Sequence, residues 1–151
     1  MKYSCKLLGA SDVPLLHGLL KMFGNVFAEP DTYQSKIPSE AYLTSLLSGN
    51  NFIAIVALDK DEVVIGGLAA YELQKFEQER SEIYLYDLAV SEDYRRQGIA
   101  TALIVQLKQI AKERGAYTIF VQADKDDDDA IRFYESISSE RIEAHHFDFR
   151  V

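Results

Sequence analysis

The apolar positions of this 151-residue chain change their period along its length, and each change marks an element. Lys2 to Leu8 reads as a short first strand. Ser11 and Asp12 are cap candidates, Pro14 fits a first helical turn, and Leu15, Leu16, Leu19, Leu20 and Phe23 then recur at helical spacing. That pattern predicts a helix over Val13 to Phe23, with Gly24 able to close it in a left-handed conformation. Asn25 to Ile37, centred on Pro30 and Asp31, breaks the period. Pro38-Ser39-Glu40 opens a second helix carrying Tyr42, Leu43, Leu46 and Leu47, and Gly49 ends it.

From here the period shortens to that of extended chain. Phe52 to Leu58 is continuously apolar and partly β-branched, Asp59 to Glu62 turns it, and Val63 to Leu73 returns as an antiparallel partner. After a polar segment from Gln74 to Ser81, Glu82 to Val90 forms a strand rich in aromatic and aliphatic residues. Thr101 to Arg114 sets Leu103, Ile104, Leu107, Ile110 and Ala111 on one helical face, and Gly115 stops it. Thr118 to Asp124 is the next strand, so the helix between makes a βαβ unit with parallel strands. Asp126 to Asp129 lead into a short helix around Ala130 to Tyr134, and Arg141 to Val151, where Phe147 and Phe149 alternate, reads as one or two closing strands. No repeat or long linker interrupts this order, so residues 1–151 are expected to form one domain.

Composition narrows the classes. An apolar fraction of 48% is enough for one ordinary core, and no run approaches the roughly 20 apolar residues of a membrane span. A soluble intracellular protein is the expectation. Cys5 is the only cysteine, which excludes an internal disulfide and favours a small buried apolar role. A formal charge of −8 argues against a nucleic-acid surface and suits a polycationic ligand. His145 and His146 are adjacent, so on a strand they face opposite ways and chelate one metal poorly. His17, within an apolar helix, is read as a packing residue.

Chemistry concentrates where the strand ending Leu88-Ala89-Val90 feeds Arg95-Arg96-Gln97-Gly98-Ile99-Ala100 and Thr101 into a helix. Such a junction offers unpaired N–H groups and the positive end of a helix dipole, which together bind anions. Gly98 removes a side chain that would block a phosphate, Ala100 keeps the first turn slim, and Arg95 and Arg96 add charge. A pyrophosphate fits this geometry.

On these residues the sequence resembles the GNAT acetyltransferase superfamily, whose signature of Arg or Gln, two residues, Gly, one residue, then Gly or Ala is matched by Arg95, Gly98 and Ala100. The order of elements resembles that family over almost the whole chain. The resemblance implies an α/β (α+β) fold: a mixed, mostly antiparallel twisted sheet of six to seven strands, about four flanking helices, and a splay between strands 4 and 5. There the pantetheine arm of acetyl-CoA would insert, with Leu88, Ala89 and Val90 as backbone partners. More narrowly, Lys75 to Gln78, Arg80 to Val90, Arg95 to Ala102, Tyr117 and Val121 to Asp124 look like bacterial aminoglycoside 3-N-acetyltransferases of the gentamicin type. This implies direct acetyl transfer in a ternary complex, from acetyl-CoA to the 3-amino group of a deoxystreptamine ring. It further implies antibiotic resistance, no metal, and a bacterial cytoplasmic location. Family members often dimerise, but no residue pattern here locates an interface.

The resemblance also distributes roles. Asp87 would orient the amine and take its proton, or would only bind a cationic amine, since an ordinary aspartate is about four pKa units or more below an amine. Tyr134 stands where the superfamily has the tyrosine that hydrogen-bonds the CoA sulfur and protonates the thiolate; the alternative is a core aromatic beside Phe133. The family usually places a helix-ending glycine soon after this tyrosine, whereas Ser136, Ile137, Ser138 and Ser139 follow here, which puts the aim of Tyr134 in question. The N–H of Leu88 or Val90 could polarise the thioester oxygen. Asp31, Glu77, Glu79, Asp126, Asp127 and Asp148 are candidates to meet the ammonium groups of the acceptor, though Asp126 to Asp129 also suit a solvated turn and helix N-terminal charge. Tyr33 and Tyr84 are either pocket walls or core. Two rivals remain: an acetyltransferase for a polyamine, peptide or protein lysine, and a non-catalytic acyl-CoA binder.

Overall fold

Phe52–Leu58 (β2) is apolar at every position because both of its faces are covered. In this computed structural model, which describes residues 2–138 and 140–151, β2 lies between Ser4–Leu7 (β1) and Val64–Gln74 (β3), and β3 in turn pairs with Ser81–Val90 (β4). All three of these pairings are antiparallel; the fifth strand, Ala116–Val121 (β5), joins β4 in parallel. The sheet order follows the chain, β1-β2-β3-β4-β5.

One face of the sheet carries Val13–Val26 (α1) and Glu40–Ser48 (α3), whose Leu16, Leu19, Phe23, Leu43 and Leu47 pack with Phe52, Ala54, Val56 and Ala89. The other carries Ile99–Arg114 (α4), which buries Ile99, Leu103, Ile104, Leu107, Ile110 and Ala111. Consecutive residues of β3 record this division. A side chain at Gly66 would meet Ile99 of α4, and one at Gly67 would meet Leu19 of α1. At the far end of the sheet Glu72 is buried, accepting from the Ser81 hydroxyl at 2.7 Å and from Arg114 at 2.9 Å. A carboxylate in such a place is tolerable only while its partners hold it, and removing Arg114 would cost about 3 kcal/mol.

Several boundaries differ from expectation, each for a physical reason. Gly24 does not stop α1, which continues to Val26; a Cβ at this position would lie 2.5 Å from Gln34 Nε2, so the Gln34 side chain would have to move. Asp12 precedes α1 without capping it, its carboxylate being occupied by the N–H of Gly9 and by Lys6. The irregular segment after α1 holds a single helical turn, Pro30–Tyr33 (α2), too short to show a period. α4 starts at Ile99, two residues before Thr101, and β5 runs from Ala116 only to Val121, short of Asp124.

The chain divides into two compact units, Met1–Val121 and Gln122–Val151. The second is built on Asp128–Ile137 (α5), capped by Asp127, which accepts from the N–H of Ala130 at 3.1 Å. Among the described residues the expected closing strands between Arg141 and Val151 are not formed, so the sheet has five strands rather than six to seven, and there are five α-helices rather than about four. Alternation at Phe147 and Phe149 supplies a face, but a strand also needs a partner backbone, and among the described residues none pairs with this tail; the two rings are 79% and 91% exposed. Ser139 lies outside the described residues. α5 nonetheless ends without a glycine: Ser138 adopts an extended conformation and its N–H donates to the Tyr134 carbonyl.

Candidate active site

The site grows from one irregularity in β4. Up to Leu85 the strand is paired on both sides, with β3 and with β5; the β5 register ends at Leu85 opposite Val121. Immediately afterwards Leu85 and Asp87 face Ala70 and Ala69, consecutive residues of β3, so Tyr86 is one residue in excess. Such a bulge resets the alternation of side chains. Without it Asp87 would share the α4 face with Leu85; with it Asp87 turns to the face of α1, where the hydroxyl of Tyr33 donates to its Oδ1 at 3.1 Å. The parting of β4 from β5 leaves the outer edge of Tyr86 to Val90 without a strand partner among the described residues.

Tyr33 is fixed by its ring. It packs against Phe23 and Phe27 of the α1 end at centroid separations of 5.8 and 5.6 Å. α2 is further tied to α1 by Gln34, whose Nε2 donates to the Lys21 carbonyl and to Asn25. Burial pushes the Asp87 carboxyl above its ordinary pKa; the Tyr33 hydroxyl pulls it back in part, and the negative charge of Glu29 adds to the rise. The Tyr33 hydroxyl is held protonated far above its usual range, first by burial and then by the neighbouring Asp87 charge. The pair is therefore a carboxylate with heightened proton affinity beside a phenol that stays a donor.

At the other end of the open edge lies the turn expected to bind an anion. Gly98 precedes α4 at φ 79° and no side chain caps that helix. Arg96 is also left-handed, at φ 58°. Left-handed residues in a turn gather N–H groups into a concave anion-binding surface. A side chain at Gly98 would be strained in this conformation, although space is available, the nearest atom being the Tyr3 hydroxyl at 3.8 Å from the ideal Cβ. Arg95 is held to the end of β4, its Nε donating to the Val90 carbonyl at 3.2 Å, and Arg95, Arg96, Gln97 and Thr101 are all exposed. A cleft of about 480 Å³ beside α1 and the end of β4 is lined by Lys21, Asn25 and Arg95 and also by Val63, Val64 and Glu92. These features fit a pyrophosphate-bearing group with an extended arm.

Of the other expected residues, Tyr84 joins the same face as Tyr33 and Asp87. Asp31 is exposed on α2. Glu77 and Glu79 sit in the β3–β4 turn, at the opposite end of β4 from Asp87; Glu77 is already paired with Lys75 and Arg80. In the second unit, Asp127 serves as the α5 cap, Asp126 lies in the preceding loop, Asp148 is within 2.8 Å of His146, and Tyr134 packs on Phe133 at 5.3 Å. Sequence reasoning missed Glu29, Tyr71 and Tyr86. For the tyrosines the signal was there: Tyr84-Leu85-Tyr86 is an alternating pattern with aromatic rings on one face.

Residues 20–138 match the acetyltransferase (GNAT) family, and the chain belongs to it. That family uses acetyl-CoA as its co-substrate, in agreement with the anion turn and the open strand edge. An aminoglycoside acetyltransferase from an uncultured soil metagenomic sample superimposes with a TM-score of 0.96 at 48% identity, covering 100% of this chain and 99% of that one. A second such enzyme, also of soil metagenomic origin, has been crystallised with sisomicin and with trehalose; it aligns at a TM-score of 0.90 with 35% identity over 99% of this chain and 96% of its own. N-alpha-acetyltransferase 30 of Schizosaccharomyces pombe is 32% identical over 84 residues, which are 56% of this chain; the matched part is about half, 55%, of the yeast protein. Among the described residues no helix is long and apolar enough to cross a membrane.

Proposed function

We propose that this protein transfers an acetyl group from acetyl-CoA to an amino group of an aminoglycoside, the 3-amino group of the deoxystreptamine ring, in a ternary complex, and so confers resistance. The observation that carries the reading is the Asp87–Tyr33 pair beside the open edge of β4, in a chain 48% identical to an aminoglycoside acetyltransferase along its whole length. The acidic balance of the chain, −8, favours a polycationic acceptor.

The turn from Arg95 to Thr101, with Ile99 and Ala100 in its helical half, would hold the pyrophosphate of acetyl-CoA, and the backbone of Leu88, Ala89 and Val90 its pantetheine arm. Bound there, acetyl-CoA supplies an acetyl group already activated as a thioester. Asp87 attracts the ammonium form of the acceptor and takes one proton from it; the free amine then attacks the acetyl carbon, and the second proton, which the nitrogen sheds as the C–S bond breaks, replaces the one that Tyr134 gives to sulfur. The raised proton affinity of Asp87 narrows the gap that makes an ordinary aspartate a poor base for an amine. The N–H of Leu88 or Val90 donates to the acetyl oxygen, and Tyr134 returns a proton to the departing sulfur. Asp31, Tyr33, Tyr84, Asp126, Asp127 and Asp148 are the proposed acceptor contacts; Glu77 and Glu79, in the turn at the far end of β4, would meet only the part of a long acceptor remote from the reacting amine.

The similarity to a yeast N-alpha-acetyltransferase favours one second reading, a peptide amine as acceptor. Measuring acetyl-CoA consumption with gentamicin, sisomicin, spermidine and peptides separates the two. Turnover of gentamicin or sisomicin supports the aminoglycoside reading; turnover of the peptides or spermidine alone overturns it. The site of acetylation on the product, read by NMR, tests the 3-amino assignment.

A further inference from the structure

Phe52, Tyr71, Tyr84 and Phe120 are mutual register partners across β2, β3, β4 and β5, so four aromatic rings stand in one row on the face of the sheet that bears Asp87. Phe52 and Tyr71 are 5.4 Å apart and Tyr84 and Phe120 4.6 Å apart, centroid to centroid. Tyr86, which the bulge turns to this face, stands edge-on to Tyr71 at 5.9 Å and tilted to Tyr84 at 5.3 Å. Cross-strand aromatic pairs stabilise any sheet, and Phe52, 8% exposed under the helices, needs no other explanation. The row does not stay covered. Tyr71 is 37% and Tyr86 60% exposed, so the edge of the array nearest Asp87 presents rings to solvent.

Partly exposed rings, inclined to one another beside one carboxylate, match a particular chemistry. The negative face of an aromatic ring attracts polarised C–H groups and ammonium groups, and a pyranose offers a flat C–H face of about the same size. Neighbouring strands are about 4.8 Å apart, so adjacent rings of the row can support adjacent sugars. A linear polyamine or a peptide has charge for Asp87 but no flat saturated ring for the tyrosines. We propose that Tyr71, Tyr84 and Tyr86 form a platform for sugar faces, which holds the rings of the acceptor and also takes neutral disaccharides, while Asp87 alone selects for the amine. This assignment rests on the aminoglycoside reading for its natural ligand, but its physical content can be measured apart from it.

The test is titration of the full chain with trehalose, by calorimetry and by NMR, alongside steady-state kinetics with sisomicin. Trehalose is expected to bind at millimolar concentration and to inhibit competitively against sisomicin. Tyr86→Ala and Tyr71→Ala should each weaken trehalose binding and raise KM for sisomicin by about tenfold, with kcat within about twofold, and Tyr86→Phe should restore both because the ring is retained. Asp87→Asn should lower kcat/KM for sisomicin by about a thousandfold and leave the trehalose dissociation constant within about twofold. Absence of trehalose binding to the wild-type chain, an unchanged dissociation constant in both alanine variants, or a Tyr86→Phe variant as impaired as Tyr86→Ala would overturn the platform, even in an enzyme that acetylates sisomicin. Failure to acetylate any aminoglycoside would overturn the function proposed above, and the trehalose titration would still decide the platform.

Discussion

The two halves of β4 have the same backbone and opposite fates. Ser81 to Leu85 is paired on both edges, its Ile83 and Leu85 are buried to 0% and 1% exposure, and Ser81 helps to hold the buried Glu72. Among the described residues Tyr86 to Val90 keeps only the β3 partner, and it carries the aspartate with raised proton affinity. Both halves are rich in residues that suit a strand, so propensity does not separate them. The bulge and the departure of β5 do: one half is spent on holding the sheet together, and the other is left with backbone and side chains able to meet ligands.

The contrast can be broken from either side. The largest effect is expected at Asp87. Asp87→Asn should lower kcat/KM by about a thousandfold, in the range of a lost general base. Its effect on the fold should have the opposite sign. A carboxylate whose pKa is raised on folding destabilises the folded state above that raised pKa, and this penalty vanishes below the unfolded value. The asparagine variant should therefore melt at a higher temperature than wild type at pH 7, with the gain disappearing toward pH 3; a variant less stable at pH 7 would contradict the burial argument. Leu85→Ala, two residues away, should do the reverse. It should lose about 3 kcal/mol in urea denaturation while the folded fraction keeps its KM for acceptor.

Smaller effects sharpen the comparison at the open edge. Gly98→Val should weaken CoA binding by about tenfold or more, measured by calorimetry, because a β-branched residue resists φ 79°. Tyr134→Phe should lower kcat by about tenfold with little change in CoA affinity, and an unchanged kcat would reject it as the proton donor. The smallest change is expected from Tyr33→Phe. Its hydroxyl lowers the pKa of Asp87, so removing it should move the acid limb of the kcat/KM profile to higher pH.

Much of this was legible in the chain. The run Phe52 to Leu58 announces a strand covered on both faces, and Arg95 to Ala100 announces the turn from strand to helix with its left-handed Gly98, because each depends on residues adjacent in sequence. What was not legible depends on relations between distant segments. Strict alternation puts Asp87 on the side of Leu85, and only the pairing with β3 reveals the bulge that reverses it. Arg114 and Glu72 meet across the sheet end with no local signature. Phe147 and Phe149 alternate as a strand would, yet alternation cannot say whether a partner backbone exists.

The contact between Gly24 and Gln34 has a consequence for tuning the enzyme from afar. Gln34 hangs α2 from the end of α1, and α2 carries the phenol that partly offsets the effect of burial on the acidity of Asp87. A methyl group at position 24 would displace the Gln34 amide and loosen that suspension without touching the acceptor pocket. Residue 24 is thus a remote dial, through which substitution could shift the working pH while the reacting groups themselves stay the same.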